Sequence, residues 1–182
     1  MMRAERSGTA LLVFATIMVG ISILAGGDLG RVLNGISGIV WFGAAGLLIH
    51  AARRTSSQLG LWWTVAGLTA VVAFVIRPSD MVQAAIGFGG AGLVVGILAR
   101  DDELLWVKLV PALYLPFHIG TAVLRSLIRS LTGAEASIRS EPPPTAALVP
   151  LMMVVAALLG GYAAVTTKAR RSGARNRRMS SV

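Results

Sequence analysis

Apolar residues run in long unbroken stretches along this chain, separated by short polar punctuation. The stretches 8–25, 32–51, 59–76, 81–99 and 146–167 hold no Asp, Glu, Lys or Arg, and His50 stands at the end of the second. At ~1.5 Å of rise per residue such lengths cover roughly 26–30 Å, the thickness of a bilayer's hydrocarbon core. Each is therefore predicted to be a transmembrane helix. A sixth stretch, 104–124, is long enough to span but contains Lys108, Pro111, Tyr114, Pro116 and His118. Beyond it, Leu124, Leu127, Ile128 and Leu131 alternate with Arg125, Ser126, Arg129 and Ser130 at helical spacing, the pattern of an interfacial amphipathic helix over 125–145 that ends in a Pro-rich loop.

The punctuation predicts the turns. Ala25-Gly26-Gly27-Asp28 closes the first span, and Arg77-Pro78-Ser79-Asp80 closes the third, with Ser79 or Asp80 placed to cap the fourth helix. Arg100-Asp101-Asp102-Glu103 sets three acids before the fifth span, where free N–H groups and the helix dipole favour anions. A lone acidic cluster with no second carboxylate motif reads as a cap rather than as a metal or diphosphate site. The first stretch is longer than the ~7–15 residues of a signal-peptide core and is read as a retained helix.

A repeat underlies these spans. Phe42-Gly43-Ala44-Ala45-Gly46-Leu47 returns 46 residues later as Phe88-Gly89-Gly90-Ala91-Gly92-Leu93, and both copies run on into arginine. Gly38 and Gly46 lie in line on the second span, Gly92 and Gly96 form GxxxG on the fourth, and Gly160 sits between Ala156 and Ala164 on the last. In lipid, small residues at this spacing let helix backbones approach closely, so these five glycines are read as helix-packing positions. With no preceding strand and no Lys-Ser/Thr partner, the glycines near Gly92 do not read as a phosphate loop.

Composition agrees with the pattern. The 182-residue chain is 55% hydrophobic and 14% charged, against about 25% charged in a soluble domain. Cysteine is absent, which excludes disulfides and thiol chemistry. Of the basic residues only Lys108 and Lys168 are lysine, and with abundant alanine and glycine this points to a GC-rich bacterial genome. The net charge of +9 is explained by orientation and not by nucleic-acid binding. Arg3, Arg6, Arg53, Arg54, Arg100, Lys108 and the basic tail at 168–182 fall on one side of a six-span arrangement, and only Arg31, Arg77, Arg125, Arg129 and Arg139 on the other. The expectation is an all-α polytopic bundle of six spans in three hairpins with both termini cytoplasmic. The tail is expected to be disordered and to meet anionic lipid headgroups.

Candidate chemistry concentrates in the fifth span. Tyr114, His118, Thr121 and Arg125 step by 4, 3 and 4 residues and share one face. Pro111 and Pro116 each remove a helical N–H, which predicts a kink or break and carbonyls that need other partners. A broken helix with a polar stripe is how many transporters build a substrate or ion pathway; the alternative is polar packing between helices. There is no HExxH or GxSxG motif, no metal-ligand cluster and no cofactor motif, so an enzyme is not expected.

One segment resembles a known family. Leu61-Trp62-Trp63, Ala66-Gly67-Leu68, Arg77-Pro78-Ser79-Asp80, Ile86-Gly87-Phe88 and Gly92-Leu93-Val94-Val95-Gly96 together resemble one hairpin of HdeD-type membrane proteins. The resemblance covers 59–99 and implies a small six-span bacterial protein of repeated helix pairs, of a kind in some cases associated with acid stress. The functional expectation is a non-enzymatic integral protein of the cytoplasmic membrane with an envelope or stress-related role. The alternative is a small-solute or ion transporter, or a transport-complex subunit, using the fifth span. Either could act as a homo-oligomer or with a membrane partner protein.

Overall fold

The computed structural model describes residues 2–55, 58–76, 78–132 and 144–179, and every regular element among them is helical. In chain order these are α1 (Met2–Ala25), α2 (Gly27–Thr55), α3 (Leu59–Val71), α4 (Met81–Leu98), α5 (Glu103–Thr132) and α6 (Val149–Met179). A π-helical turn, Val72–Ile76, finishes α3, and a 3₁₀ turn, Pro144–Leu148, leads into α6. Six segments are long and apolar enough to cross a membrane: Arg3–Ala25, Gly27–Arg54, Leu59–Ile76, Met81–Leu98, Glu103–Ile128 and Thr145–Arg170. Their outward faces carry apolar side chains such as Leu24, Ile39, Trp63, Val75 and Ile86, which only lipid solvates without cost.

Local chemistry sets the turns. Gly26 and Gly27 have φ of +60° and +51°, a left-handed pair that reverses the chain between α1 and α2 without the penalty a Cβ would bring. Asp80 caps α4 by accepting from the Gln83 N–H at 2.8 Å, and Gln83 Oε1 accepts from the Ser79 N–H at 3.0 Å. Asp102, at φ 50°, starts α5 by offering its carbonyl to the Leu105 and Trp106 N–H groups. The acidic run thus lies at a helix start, and the described residues hold no group of three ligating side chains that could bind a metal.

The most extensively packed pairs are α1 with α2 and α4 with α6, while α5 threads the middle and touches every other helix. Its segment from Leu105 to Ala112 is buried almost throughout, and with Phe88, Val95 and Ala157 it forms the centre of the core. The π turn of α3 is received by α4 at Gly87, where a Cβ would stand 3.1 Å from Ile76 and 3.3 Å from Val72.

Three sequence expectations bear on α5 and α6. Helix α5 is not broken at Pro111 or Pro116 but runs continuously for 30 residues. At ~1.5 Å per residue that is about 45 Å, so one end projects beyond the hydrocarbon core. Residues 125–132 continue α5 and do not form a separate helix, because no proline or glycine interrupts the chain between Gly120 and Gly133. The remainder of the expected Pro-rich loop, 133–143, lies outside the described residues. The backbone of α6 is helical through Met179, past Lys168 where the basic tail begins. Arginine, lysine and alanine are good helix formers, and cations are favoured at a helix C-terminus.

Candidate functional site

Two polar residues of α5, Tyr114 and His118, face a cavity. Its volume is about 590 Å³, and it lies between α1 at Val19, α2 from Asn34 to Phe42, α5 from Tyr114 to Ile119 and α6 at Pro150 and Met153. A second cavity of about 630 Å³ adjoins it toward the α1–α2 turn, lined by Ser22, Gly26, Gly27, Gly30 and Arg31. The two share Val19 and Asn34 in their walls.

Helix α2 supplies as much of the lining as α5 does. Arg31, Asn34, Ser37, Gly38 and Trp41 recur at helical spacing along one of its faces. Charge alone would not single this face out, because beyond Arg31 it is neutral. The polar spacing at Asn34, Ser37 and Trp41 is the signal that identifies it.

Within the first cavity several polar groups are already engaged. The Ser37 hydroxyl donates to the Asn34 carbonyl at 2.8 Å. The Trp41 indole N–H donates to the Ala112 carbonyl at 2.9 Å, a bond buried between α2 and α5. That carbonyl is the one whose helical donor Pro116 removes, so Trp41 completes the hydrogen bonding of α5 at its second proline. The Tyr114 hydroxyl stands 3.5 Å from His118 Nδ1, the long limit of a hydrogen bond, and the two rings stack with centroids 5.5 Å apart. Phe88 of α4 meets Tyr114 edge-to-face at 5.3 Å and fixes its ring from behind. Tyr114 is half-buried and His118 exposed.

Of the expected stripe, the structure therefore brings Tyr114 and His118 together on the cavity wall. Thr121 and Arg125 continue along α5, and their side chains lie outside the described residues. The five glycines divide. A Cβ on Gly92 or Gly160 would collide with the opposing backbone, at the Ala157 carbonyl oxygen and the Gly89 carbonyl oxygen respectively. One on Gly96 would stand 2.8 Å from Ala164. These three sit in the α4–α6 crossing. A Cβ on Gly38 or Gly46 would meet nothing within 4 Å, so neither permits a close approach inside the bundle; Gly38 instead opens onto the cavity.

At the opposite end of the bundle, ion pairs close the structure. Lys108 of α5 binds Glu5 of α1 at 2.7 Å, both side chains largely buried. Lys168 of α6 lies 3.6 Å from Glu103 and donates to the Ala99 carbonyl at the end of α4. The first turns of α1 and α5 and the far end of the apolar part of α6 thus gather at one end, away from Arg31. Glu5 carries no signal in the sequence beyond being an acid in a basic leader.

Compared with family models, with curated proteins and with solved structures, the chain matches none.

Proposed function

We propose that this chain is a multi-pass protein of the bacterial cytoplasmic membrane, with both ends cytoplasmic and an envelope or stress-related role. It binds a small molecule in the outer half of the bilayer and does no catalysis. The observation that carries this reading is the cavity between α2 and α5, with Tyr114, His118 and Asn34 on its wall. Its volume is in the range of small-molecule sites, and its lining is mainly apolar with a few polar groups, as such sites require. Twelve of the seventeen basic residues fall on the cytoplasmic side in this orientation, which agrees with the charge bias of membrane proteins. The HdeD-type resemblance over 59–99 points to the same six-span architecture.

A transport role is the second reading, favoured by Tyr114 and His118 lining the cavity. Binding is preferred because α5 from Leu105 to Ala112 is almost wholly buried and the Glu5–Lys108 pair lies beneath it, so no route continues to the cytoplasmic end among the described residues. The absence of native cysteine makes the test clean. A thiol introduced by Asn34→Cys is expected to react in intact cells with a charged, membrane-impermeant methanethiosulfonate. A thiol at the exposed, lipid-facing Ile86→Cys is expected to stay unreactive. Protection of the thiol at position 34 equal to that at position 86 would refute a cavity open to the outside.

A further inference from the structure

We infer that the paired cavities hold one single-chain anionic lipid taken from the outer leaflet, its acyl chain between α2 and α5 and its head at Arg31. This rests on the reading of the cavity as a binding site and specifies what it binds.

The polarity of the walls changes along their length. At the inner end, Ser37, Trp41, Tyr114 and His118 are polar by residue type, but the Ser37 hydroxyl and Trp41 N–H are committed to protein carbonyls and Tyr114 leans on His118. What they present to an occupant, together with Leu115, Ile119 and Met153, is a mainly apolar surface. Donors already committed to the protein gain little by binding a polar ligand there, and a polar ligand would lose its hydration. Toward the α1–α2 turn the walls become polar, through Asn34, Gly30 and Arg31. An amphiphile has the same gradient.

Two further features favour a lipid over a solute from water. The inner cavity is flanked by Ile39, Phe42 and Ile119, which are themselves exposed on the outside of the bundle at 76%, 47% and 41%. On a spanning helix that outside is acyl chain, so the cavity wall is continuous with the lipid-facing surface and a chain can enter sideways. Gly35 and Gly38 leave open space where any larger residue of α2 would fill the gap. At the head end Arg31 pairs with Asp28 at 3.0 Å, with both side chains more than four-fifths exposed. Such a pair is weak, and a guanidinium with five donors can hold a phosphate while keeping Asp28. A bound anion would be stronger competition than water.

The test uses the full chain in lipid nanodiscs, with palmitoyl lysophosphatidylglycerol as the probe and native mass spectrometry as the readout. One lipid is expected to be retained per chain, and its addition is expected to slow labelling of Asn34→Cys about tenfold. Gly38→Leu, whose Cβ has open space for 4 Å and whose side chain extends into the cavity, is expected to reduce retention by about tenfold or more. Gly35→Leu serves as a second filling variant should the first fold poorly. Arg31→Gln should lower retention of the lysolipid by about tenfold while leaving the uncharged monopalmitoylglycerol unchanged. Full retention in both filled variants overturns the chain site. Equal retention of both lipids, unaffected by Arg31→Gln, overturns the anionic head. If the Asn34→Cys thiol is labelled from outside but only free glycerol phosphate protects it, the lipid is wrong and the binding cavity stands.

Discussion

Trp41 and Pro116 are a matched pair: the Trp41 indole N–H donates to the Ala112 carbonyl, 71 residues on, which Pro116 leaves without its helical donor. Proline removes the N–H that would bond the Ala112 carbonyl, and lipid offers no replacement. Trp41→Phe should therefore destabilise the protein by about 1–3 kcal/mol, the cost of a buried acceptor left unmatched. In a Pro116→Ala background, where the helix supplies its own N–H, the same change should cost much less. A double-mutant cycle read by thermal unfolding in detergent checks this; equal costs in both backgrounds would show that the indole contributes packing alone. Trp106 is the contrast, a buried indole N–H with no acceptor among the described residues, set edge-to-face against Trp62 at 4.9 Å. The sequence shows that Pro116 frees a carbonyl. It does not show who answers it, because Trp41 lies on a helix whose rotation about its axis is set only by packing. Glu5 was illegible for the same reason: its partner Lys108 lies 103 residues away.

Among elements, the six apolar segments were legible because length and hydropathy alone decide whether a helix can span. Glycine spacing was a poorer guide. Gly92 of the α4 copy lies in the tight crossing with α6, while the glycines of the matching copy on α2, Gly43 and Gly46, face open space. Spacing marks a surface that can be approached, and only the fold decides whether anything approaches it. The two sets should respond oppositely to the same chemistry. Gly92→Val and Gly160→Val force the backbones apart and should cost about 1–3 kcal/mol or more. Gly46→Ala should be neutral or stabilise by up to ~1 kcal/mol, since alanine is the better helix former. Thermal unfolding of the single variants distinguishes the sets, and a large loss at Gly46 would place an unseen partner against α2. The prolines of α5 allowed a kink or a break, and the helix runs through both without a break.

For the whole molecule, two ion pairs join the ends of four helices: Glu5–Lys108 and Glu103–Lys168, the second also reaching Ala99. Lys108→Met should destabilise by on the order of 1–2 kcal/mol, between the values for exposed and fully buried pairs. Exchanging the partners, Glu5→Lys with Lys108→Glu, should recover much of that loss; no recovery in an unfolding assay would mean the charges matter singly. Topology has its own check. A reporter inserted at 141–145 should be active on the outside, and a cytoplasmic signal would rule out six spans with both ends inside. The tight α4–α6 crossing also sets an order of events during synthesis. Gly92 leaves the ribosome about 65 residues before Ala157, an interval of roughly 3–13 s at ordinary elongation rates. Through that interval the glycine face of α4 has no mate, and α5 must settle before α6 arrives to enclose it. The final span therefore acts as the clasp of the nascent bundle. A chain stopped at Thr145 should insert yet be cleared quickly by membrane proteases, which pulse-chase labelling would reveal as a short half-life beside that of the whole protein.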